Sequence, residues 1–162
     1  MGSGKSTIGR ELAELTGWHY YDNDELLDML RGETAKDLLA NEGVNELRGG
    51  EADALRLGLH QASPCIVSAP AGTILNPELR SLLNEQALVV WLTAKPETLA
   101  RRARGTAHRP WLGGDAEAWM SKTLLERAPL YRSAADVAVS TERRRPPAVA
   151  AQILDLLTER CS

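Results

Sequence analysis

Four short runs of apolar and β-branched residues are spaced along the chain, separated by segments with helical periodicity. We interpret these runs as strands, at Trp18–Tyr21, Cys65–Ala69, Leu88–Leu92 and Asp136–Ser140. The run at Leu88–Leu92 is apolar at every position, as expected for a strand that is buried on both faces. Strands that alternate with helices predict an α/β fold, a three-layer sandwich in which helices cover both faces of a parallel sheet.

Residues that typically begin helices mark the segments between these runs. Asn76 before Pro77 is typical of an N-cap followed by a first helical residue, and Thr34 precedes another helical segment. In the last helical segment, Val149 and Ile153 recur at helical spacing and predict a face that packs inward. No linker or internal repeat interrupts the sequence, so we expect one domain over residues 1–162.

The first seven residues, MGSGKST, match the second half of the phosphate-binding pattern G-x-x-x-x-G-K-[ST]. In such a loop, consecutive backbone N–H groups point at phosphate oxygens, the lysine neutralises the β- and γ-phosphate charge, and the hydroxyl that follows binds Mg²⁺. A helix that begins at the loop adds the positive end of its dipole. The sequence therefore predicts a nucleotide-phosphate site at Gly2, Ser3, Gly4, Lys5, Ser6 and Thr7.

The sequence has no strand before this loop, because the first glycine of the pattern would fall two residues before Met1. In a P-loop fold the strand before the loop usually lies in the middle of the sheet. We therefore expect the first two predicted strands to be separated from the last two, with unpaired edges inside the core. We interpret Met1 as an internal methionine, with a strand and turn of about ten residues missing before it.

Two carboxylates, Asp22 and Asp24, follow the first predicted strand at its carboxyl end, where α/β folds build their sites. A spacing of two places both side chains on the same side if the extended conformation continues. One carboxylate would then hold Mg²⁺, and the other would orient a substrate hydroxyl or act as a base. A structural interpretation also fits, in which Asp22 ends the strand and Asp24 caps the next helix.

Three further segments allow both a functional and a structural interpretation. Arg48 and Glu51 are spaced as a surface ion pair on a helix. The segment Ser68–Thr73 is either a loop whose backbone approaches a ligand closely or an ordinary strand-to-helix turn. The arginines and glycines of residues 101–114 suit a lid that closes over a transferring phosphate, or they form a solvated surface.

Composition and charge narrow the class of protein. A formal net charge of -3 gives no basic surface for nucleic acid. No apolar run is long enough to cross a bilayer, and we expect no signal peptide, because Lys5 and Arg10 interrupt the first residues. Cys65 and Cys161 lack metal-ligand spacing, so we expect reduced thiols in a cytoplasmic protein without a zinc site.

Taken together, the segments GSGKSTIG, DND, EGVNELRGGE and ERAPLYRSAAD resemble the shikimate kinases, which are small P-loop kinases. The resemblance runs in family order over nearly the whole chain. It implies that ATP, with Mg²⁺, donates its γ-phosphoryl group to the 3-hydroxyl of shikimate. It further implies a single kinase domain with a lid around residues 101–114, and we expect a monomer whose partner is a small hydroxy-carboxylate.

The same resemblance implies roles for individual residues. Lys5 and Ser6 would take the phosphates and the metal, Asp22 would serve Mg²⁺, and Asp24 would meet the acceptor hydroxyls. Arg48 and Arg132 would bind the substrate carboxylate, and Gly72 would offer a backbone contact to the substrate. Arg109 would face the γ-phosphate from the lid. Arg144 and Pro146 would line the adenine.

The chain departs from the family pattern in ways that bear on the acceptor. The glycine triplet of the family is here Ala69-Pro70-Ala71-Gly72, and Trp111 stands in the lid where a smaller aliphatic residue is usual. Two other functions therefore remain open at this stage. One is a sugar-acid kinase similar to gluconate kinase, and the other is a nucleotide-binding module without turnover.

Overall fold

The computed structural model describes residues 2–103 and 115–161, in which helices and short strands alternate along the chain. The strands are β1 (His19–Asp22), β2 (Cys65–Ser68), β3 (Val90–Thr93) and β4 (Val137–Ser140). The helices are α1 (Lys5–Thr16), α2 (Asn23–Arg31), α3 (Ala35–Glu42), α4 (Val44–Leu59), α5 (Pro77–Gln86), α6 (Pro96–Ala103), α7 (Ala116–Ala134) and α8 (Pro146–Cys161). A short 3₁₀ turn at Thr73–Leu75 precedes α5. The predicted α/β class is confirmed, and each strand bound lies within two residues of its predicted position.

All strand pairing in the described residues is parallel. β1 pairs with β2 in the register Asp22 to Ser68, and β3 pairs with β4 in the register Thr93 to Ser140. The carboxyl ends of β1 and β2 therefore lie side by side. In a parallel sheet this edge is where the loops of a binding site meet.

The two strand pairs are not hydrogen-bonded to each other in the part of the chain that the structure describes, as the sequence predicts. They nevertheless lie in one layer between shared helices. On one face, Ile66 of β2 and Leu92 of β3 pack against the same cluster of α1, β4 and α8 residues. On the other face, Val67 of β2 and Val89, next to β3, pack against α4 and α5. β2 and β3 are therefore the two inner strands.

The helix termini follow the local signals in the sequence. Asn76 caps α5 by accepting hydrogen bonds from the backbone N–H groups of Glu78 and Leu79, and Thr34 caps α3 in the same way through Asp37. Gly17 is the C-cap of α1, and its φ of 73° is readily accessible only to glycine. The inward face predicted for α8 is confirmed, because Val149 is fully buried in the cluster with α1.

Of the predicted lid, the structure describes only residues 101–103. Arg101 is in the last turn of α6, which ends at Ala103. Residues 104–114, which include Arg109 and Trp111, lie outside the described residues. Asp115 caps α7 by accepting a hydrogen bond from the backbone N–H of Ala118. No helix in the described ranges is both long and apolar enough to cross a membrane.

Candidate active site

The glycine-rich loop at the start of the chain leads directly into α1. Gly4 is the N-cap of α1 and adopts φ 88°, a left-handed conformation that glycine takes without strain. Gly2 also has a positive φ, and a Cβ there would lie 2.6 Å from the carbonyl oxygen of Leu99. Both glycines are thus required by the backbone. The loop leaves the N–H groups of the first turn of α1 available to an anion.

A cavity of about 380 Å³ opens beside this loop, at the carboxyl ends of β1 and β2. Its lining comes from α1, the start of α2, α3, α4, the segment after β2 and α7. The lining includes most of the residues predicted to bind phosphate, metal or acceptor: Lys5, Ser6, Asp22, Asp24, Arg48 and Gly72. Residues that are far apart in the sequence are therefore brought to one cavity.

Asp22 is the most buried carboxylate of the cavity, with 7% of its surface exposed. Its Oδ1 accepts a hydrogen bond from the backbone N–H of Asp24 at 3.1 Å, and its Oδ2 accepts one from the hydroxyl of Tyr20 at 2.8 Å. Burial alone would raise the pKa of Asp22. Hydrogen bonds from Tyr20, Ser6 and the Asp24 N–H, with the nearby charge of Arg10, outweigh burial and lower that pKa. Asp22 is therefore ionised at neutral pH.

The structural interpretation of the two carboxylates is right that Asp22 ends β1 and wrong about the residue that caps the next helix. Asp22, not Asp24, is the N-cap of α2. Asp24 lies in the first turn of that helix, where a negative charge interacts favourably with the helix dipole, and it is exposed at the cavity. Capping and function are compatible here, because a carboxylate that accepts one backbone N–H keeps further lone pairs for a ligand.

Arg48 projects from α4 into the cavity and forms an ion pair with Glu51, one turn further along the helix. The predicted i,i+3 pair is thus present, but it lines the cavity and is not a surface pair. Gly72 packs directly on the guanidinium of Arg48, and a Cβ at residue 72 would overlap it. The φ of Gly72 is −79°, so glycine is required there by space and not by backbone conformation.

Arg127 is the second arginine of the cavity, whereas the family resemblance assigned the carboxylate-binding role to Arg132. Its guanidinium donates a hydrogen bond to the carbonyl oxygen of Ala71 at 3.4 Å. Tyr131, one helical turn later, donates to the same oxygen at 3.2 Å. The sequence carries no signal that separates Arg127 from Arg132, because only the structure shows which face of α7 meets the cavity.

Arg132 lies on the exposed face of α7 and does not line the cavity. Five residues along an α-helix turn the side chain by about 140° from the direction of Arg127. The carboxylate-binding role of Arg132 stays a prediction, and Arg127, which lines the cavity, is the better placed candidate for it.

Arg144 and Pro146 lie in the turn after β4 and at the start of α8, outside the lining of the cavity. Arg144 donates to the carbonyl oxygens of Ala148 at 2.9 Å and Ser140 at 3.4 Å, and it also contacts Gln152. This turn is joined to α6, because Arg102 donates to the carbonyl oxygen of Thr141 at 3.0 Å. The adenine-lining role of Arg144 and Pro146 stays a prediction.

The comparisons with known proteins agree with this geometry. The family model of shikimate kinase matches residues 1–158. The chain belongs to the shikimate kinase family. A shikimate kinase of Symbiobacterium thermophilum is 37% identical over 163 aligned residues, which cover 99% of this chain and 93% of the relative. A shikimate kinase of Mycobacterium tuberculosis is 37% identical over 157 residues, covering 96% of this chain and 88% of the relative.

Solved structures of shikimate kinases have the same fold. The shikimate kinase of Acinetobacter baumannii in complex with shikimate superposes with a TM-score of 0.92 at 28% identity, covering 99% of this chain and 89% of that one. The shikimate kinase of Aquifex aeolicus superposes with a TM-score of 0.85 at 24% identity, covering 99% and 94%. The P-loop α/β fold predicted from the sequence is thereby confirmed.

Proposed function

We propose that this chain transfers the γ-phosphoryl group of ATP to the 3-hydroxyl of shikimate. Membership of the shikimate kinase family supports the reaction, and the A. baumannii relative whose structure contains shikimate supports the acceptor. The observation that carries the proposal is a single cavity in which Lys5 and Ser6 of the phosphate loop share a lining with Asp24, Arg48 and Arg127. A phosphate donor and a carboxylate-bearing alcohol can meet there.

The donor groups beside the loop fit a hard divalent cation. Mg²⁺ in kinases is usually held by one or two protein oxygens together with the phosphates of the nucleotide, so a cluster of several carboxylates is not needed. Ser6 offers a hydroxyl and Asp22 an ionised carboxylate, and both line the cavity. When bound, Mg²⁺ would neutralise phosphate charge; Ser6 and Asp22 would hold it.

The acceptor end of the cavity combines cations with one exposed carboxylate. Arg48 and Arg127 would bind the carboxylate of shikimate, because a guanidinium matches a planar carboxylate through two parallel hydrogen bonds. Asp24 would accept a hydrogen bond from the acceptor hydroxyl and orient it towards the γ-phosphate. The backbone around Gly72 would contact the substrate beside Arg48. The segment Ala69–Gly72 differs from the glycine triplet of the family, but it retains the one glycine that leaves space for Arg48.

Lys5 would stabilise the charge that develops on the phosphates during transfer, which is the main contribution of a protein to phosphoryl transfer. Arg109, in residues 104–114, remains the predicted lid arginine, and Arg144 with Pro146 remain the predicted adenine contacts. We also propose a monomer that acts in the cytoplasm on a small molecule and not on nucleic acid. The formal net charge of -3 supports the last point.

Release of ADP in a coupled assay, with ATP, Mg²⁺ and either shikimate or gluconate, tests the proposal. We expect release with shikimate and none above background with gluconate. Release with gluconate alone would identify the sugar-acid kinase instead. Nucleotide binding without release from either acceptor would identify a module without turnover. A Lys5→Ala variant is the matched control for contaminating kinases, because its preparation carries the same contaminants.

A further inference from the structure

Tyr20 lies in the middle of β1, two residues before Asp22 and on the same face of the strand. Its ring packs on α1. Gly9 packs against one side, where a Cβ would lie 2.9 Å from Cδ2 of the ring, and the guanidinium of Arg10 lies 5.6 Å from the ring centroid. The ring therefore has a fixed position, and its hydroxyl is aimed at the carboxyl end of β1.

The hydroxyl of Tyr20 meets the candidate metal-binding groups there. It donates to Oδ2 of Asp22 at 2.8 Å, while Oδ1 of the same carboxylate accepts the backbone N–H of Asp24 at 3.1 Å. Ser6 on α1 and Ser68, the register partner of Asp22 on β2, lie near the same hydroxyl. The hydroxyl therefore lies where α1 and the ends of both strands meet.

These contacts fix the orientation of the Asp22 carboxylate. With one oxygen bonded to Asp24 and the other to Tyr20, rotation about the last side-chain bond breaks both hydrogen bonds. The lone pairs that remain can then be directed towards Ser6 and the phosphate loop. A phenylalanine at residue 20 would fill the same space against Gly9 but would leave Oδ2 without its protein donor.

We propose that Tyr20 is a positioning residue for the metal site: its hydroxyl orients Asp22 towards the cation that Asp22 and Ser6 hold. This inference rests on the metal-binding role of Asp22 in the proposed function. Tyr20 itself would not touch the cation or the nucleotide. Groups that orient a metal ligand in this way typically change metal affinity or activity by about 10- to 100-fold when removed.

Calorimetric titration of ADP, with Mg²⁺ and again with EDTA, tests the inference without turnover. The ratio of the two dissociation constants measures the coupling between cation and nucleotide. We expect Tyr20→Phe to reduce this ratio about 10-fold while ADP affinity in EDTA stays at the wild-type value. Tyr21→Phe is the matched control on the same strand, since Tyr21 packs with α2 and α4 and should keep the wild-type ratio.

The Asp22→Asn variant distinguishes failure of the positioning role of Tyr20 from failure of the metal-binding role of Asp22. If Asp22→Asn loses the coupling and Tyr20→Phe keeps it, the positioning role of Tyr20 is wrong and the metal role of Asp22 stands. If Asp22→Asn keeps the coupling, the metal role itself is wrong. Equal weakening of ADP binding by Tyr20→Phe with and without Mg²⁺ would show that the hydroxyl serves only the fold, which also overturns the inference.

Discussion

The guanidinium of Arg48 lies directly against the α-carbon of Gly72, so that a side chain of any size at residue 72 would occupy its place. The two residues belong to different elements, α4 and the turn after β2, and their contact closes one wall of the cavity. The one glycine of the Ala69–Gly72 segment is therefore at the position where any side chain would collide with Arg48.

Gly72→Ala should displace Arg48 and raise the KM for shikimate. Loss of one hydrogen bond to a charged group corresponds to about 1.5–3 kcal/mol, or roughly a 10- to 150-fold weaker interaction. Steady-state kinetics with shikimate as the varied substrate measure this KM. Gly49→Ala is the control on α4, because a Cβ there meets only Arg31 at an ordinary 3.9 Å. An unchanged KM in Gly72→Ala would mean that Arg48 does not bind the acceptor from this position.

Lys5→Ala should lower kcat by at least about 100-fold, because the variant loses a preorganised charge at the transferring phosphate. Binding of shikimate, followed by calorimetry, should remain close to wild type. Lys122→Ala removes a lysine whose side chain is 77% exposed on α7, and should leave both quantities unchanged. Normal turnover in Lys5→Ala would refute the assignment of the phosphate loop.

Arg127→Ala and Arg132→Ala form a matched pair on one helix. Arg127→Ala should weaken shikimate binding by about 2–5 kcal/mol, as expected when one partner of a buried charge pair is removed. Arg132→Ala should have little effect, because its side chain is exposed outside the cavity. Shikimate titrations of the two purified variants decide between them, and the reverse ranking would favour the assignment of Arg132.

Asp22 should make the stability of the ligand-free protein depend on pH. Its pKa in the folded protein is lowered from the ordinary value of 3.8, so its contribution is complete well above that value and is lost as the pH falls through the lower, folded value. Urea unfolding of wild type and Asp22→Asn at several pH values measures the contribution. The difference between them should shrink in acid below about pH 4. A difference that grows towards acid would reverse the sign of the shift.

Structural features that depend on a few neighbouring residues could be predicted from the sequence. The strands and the helix caps at Thr34 and Asn76 each depend on a few neighbouring residues, and the structure places them within two residues of the prediction. The separation of the strands into two pairs was predictable as well. It follows from the strand pattern and from the position of the phosphate loop.

Features that depend on tertiary contacts were not predictable in the same way. The choice between Arg127 and Arg132 depends on which face of α7 meets the cavity, and the segment RAPLYR contains both arginines. The reason for glycine at residue 72 is the guanidinium of Arg48, 24 positions earlier in the numbering. The role of the Tyr20 hydroxyl cannot be read from the sequence, because it depends on the packing of α1, β1 and β2.

α1 is the helix that connects the two strand pairs through its packing. No backbone hydrogen bond joins the β1–β2 half to the β3–β4 half within the described residues, whereas α1 packs on β1 and β2 and also on α8, which packs on β4. α1 therefore contacts both strand pairs, directly or through α8, and its first turn lies at the predicted phosphate site. A nucleotide bound there would contact this shared helix, so ligand binding should slow amide exchange in both strand pairs together.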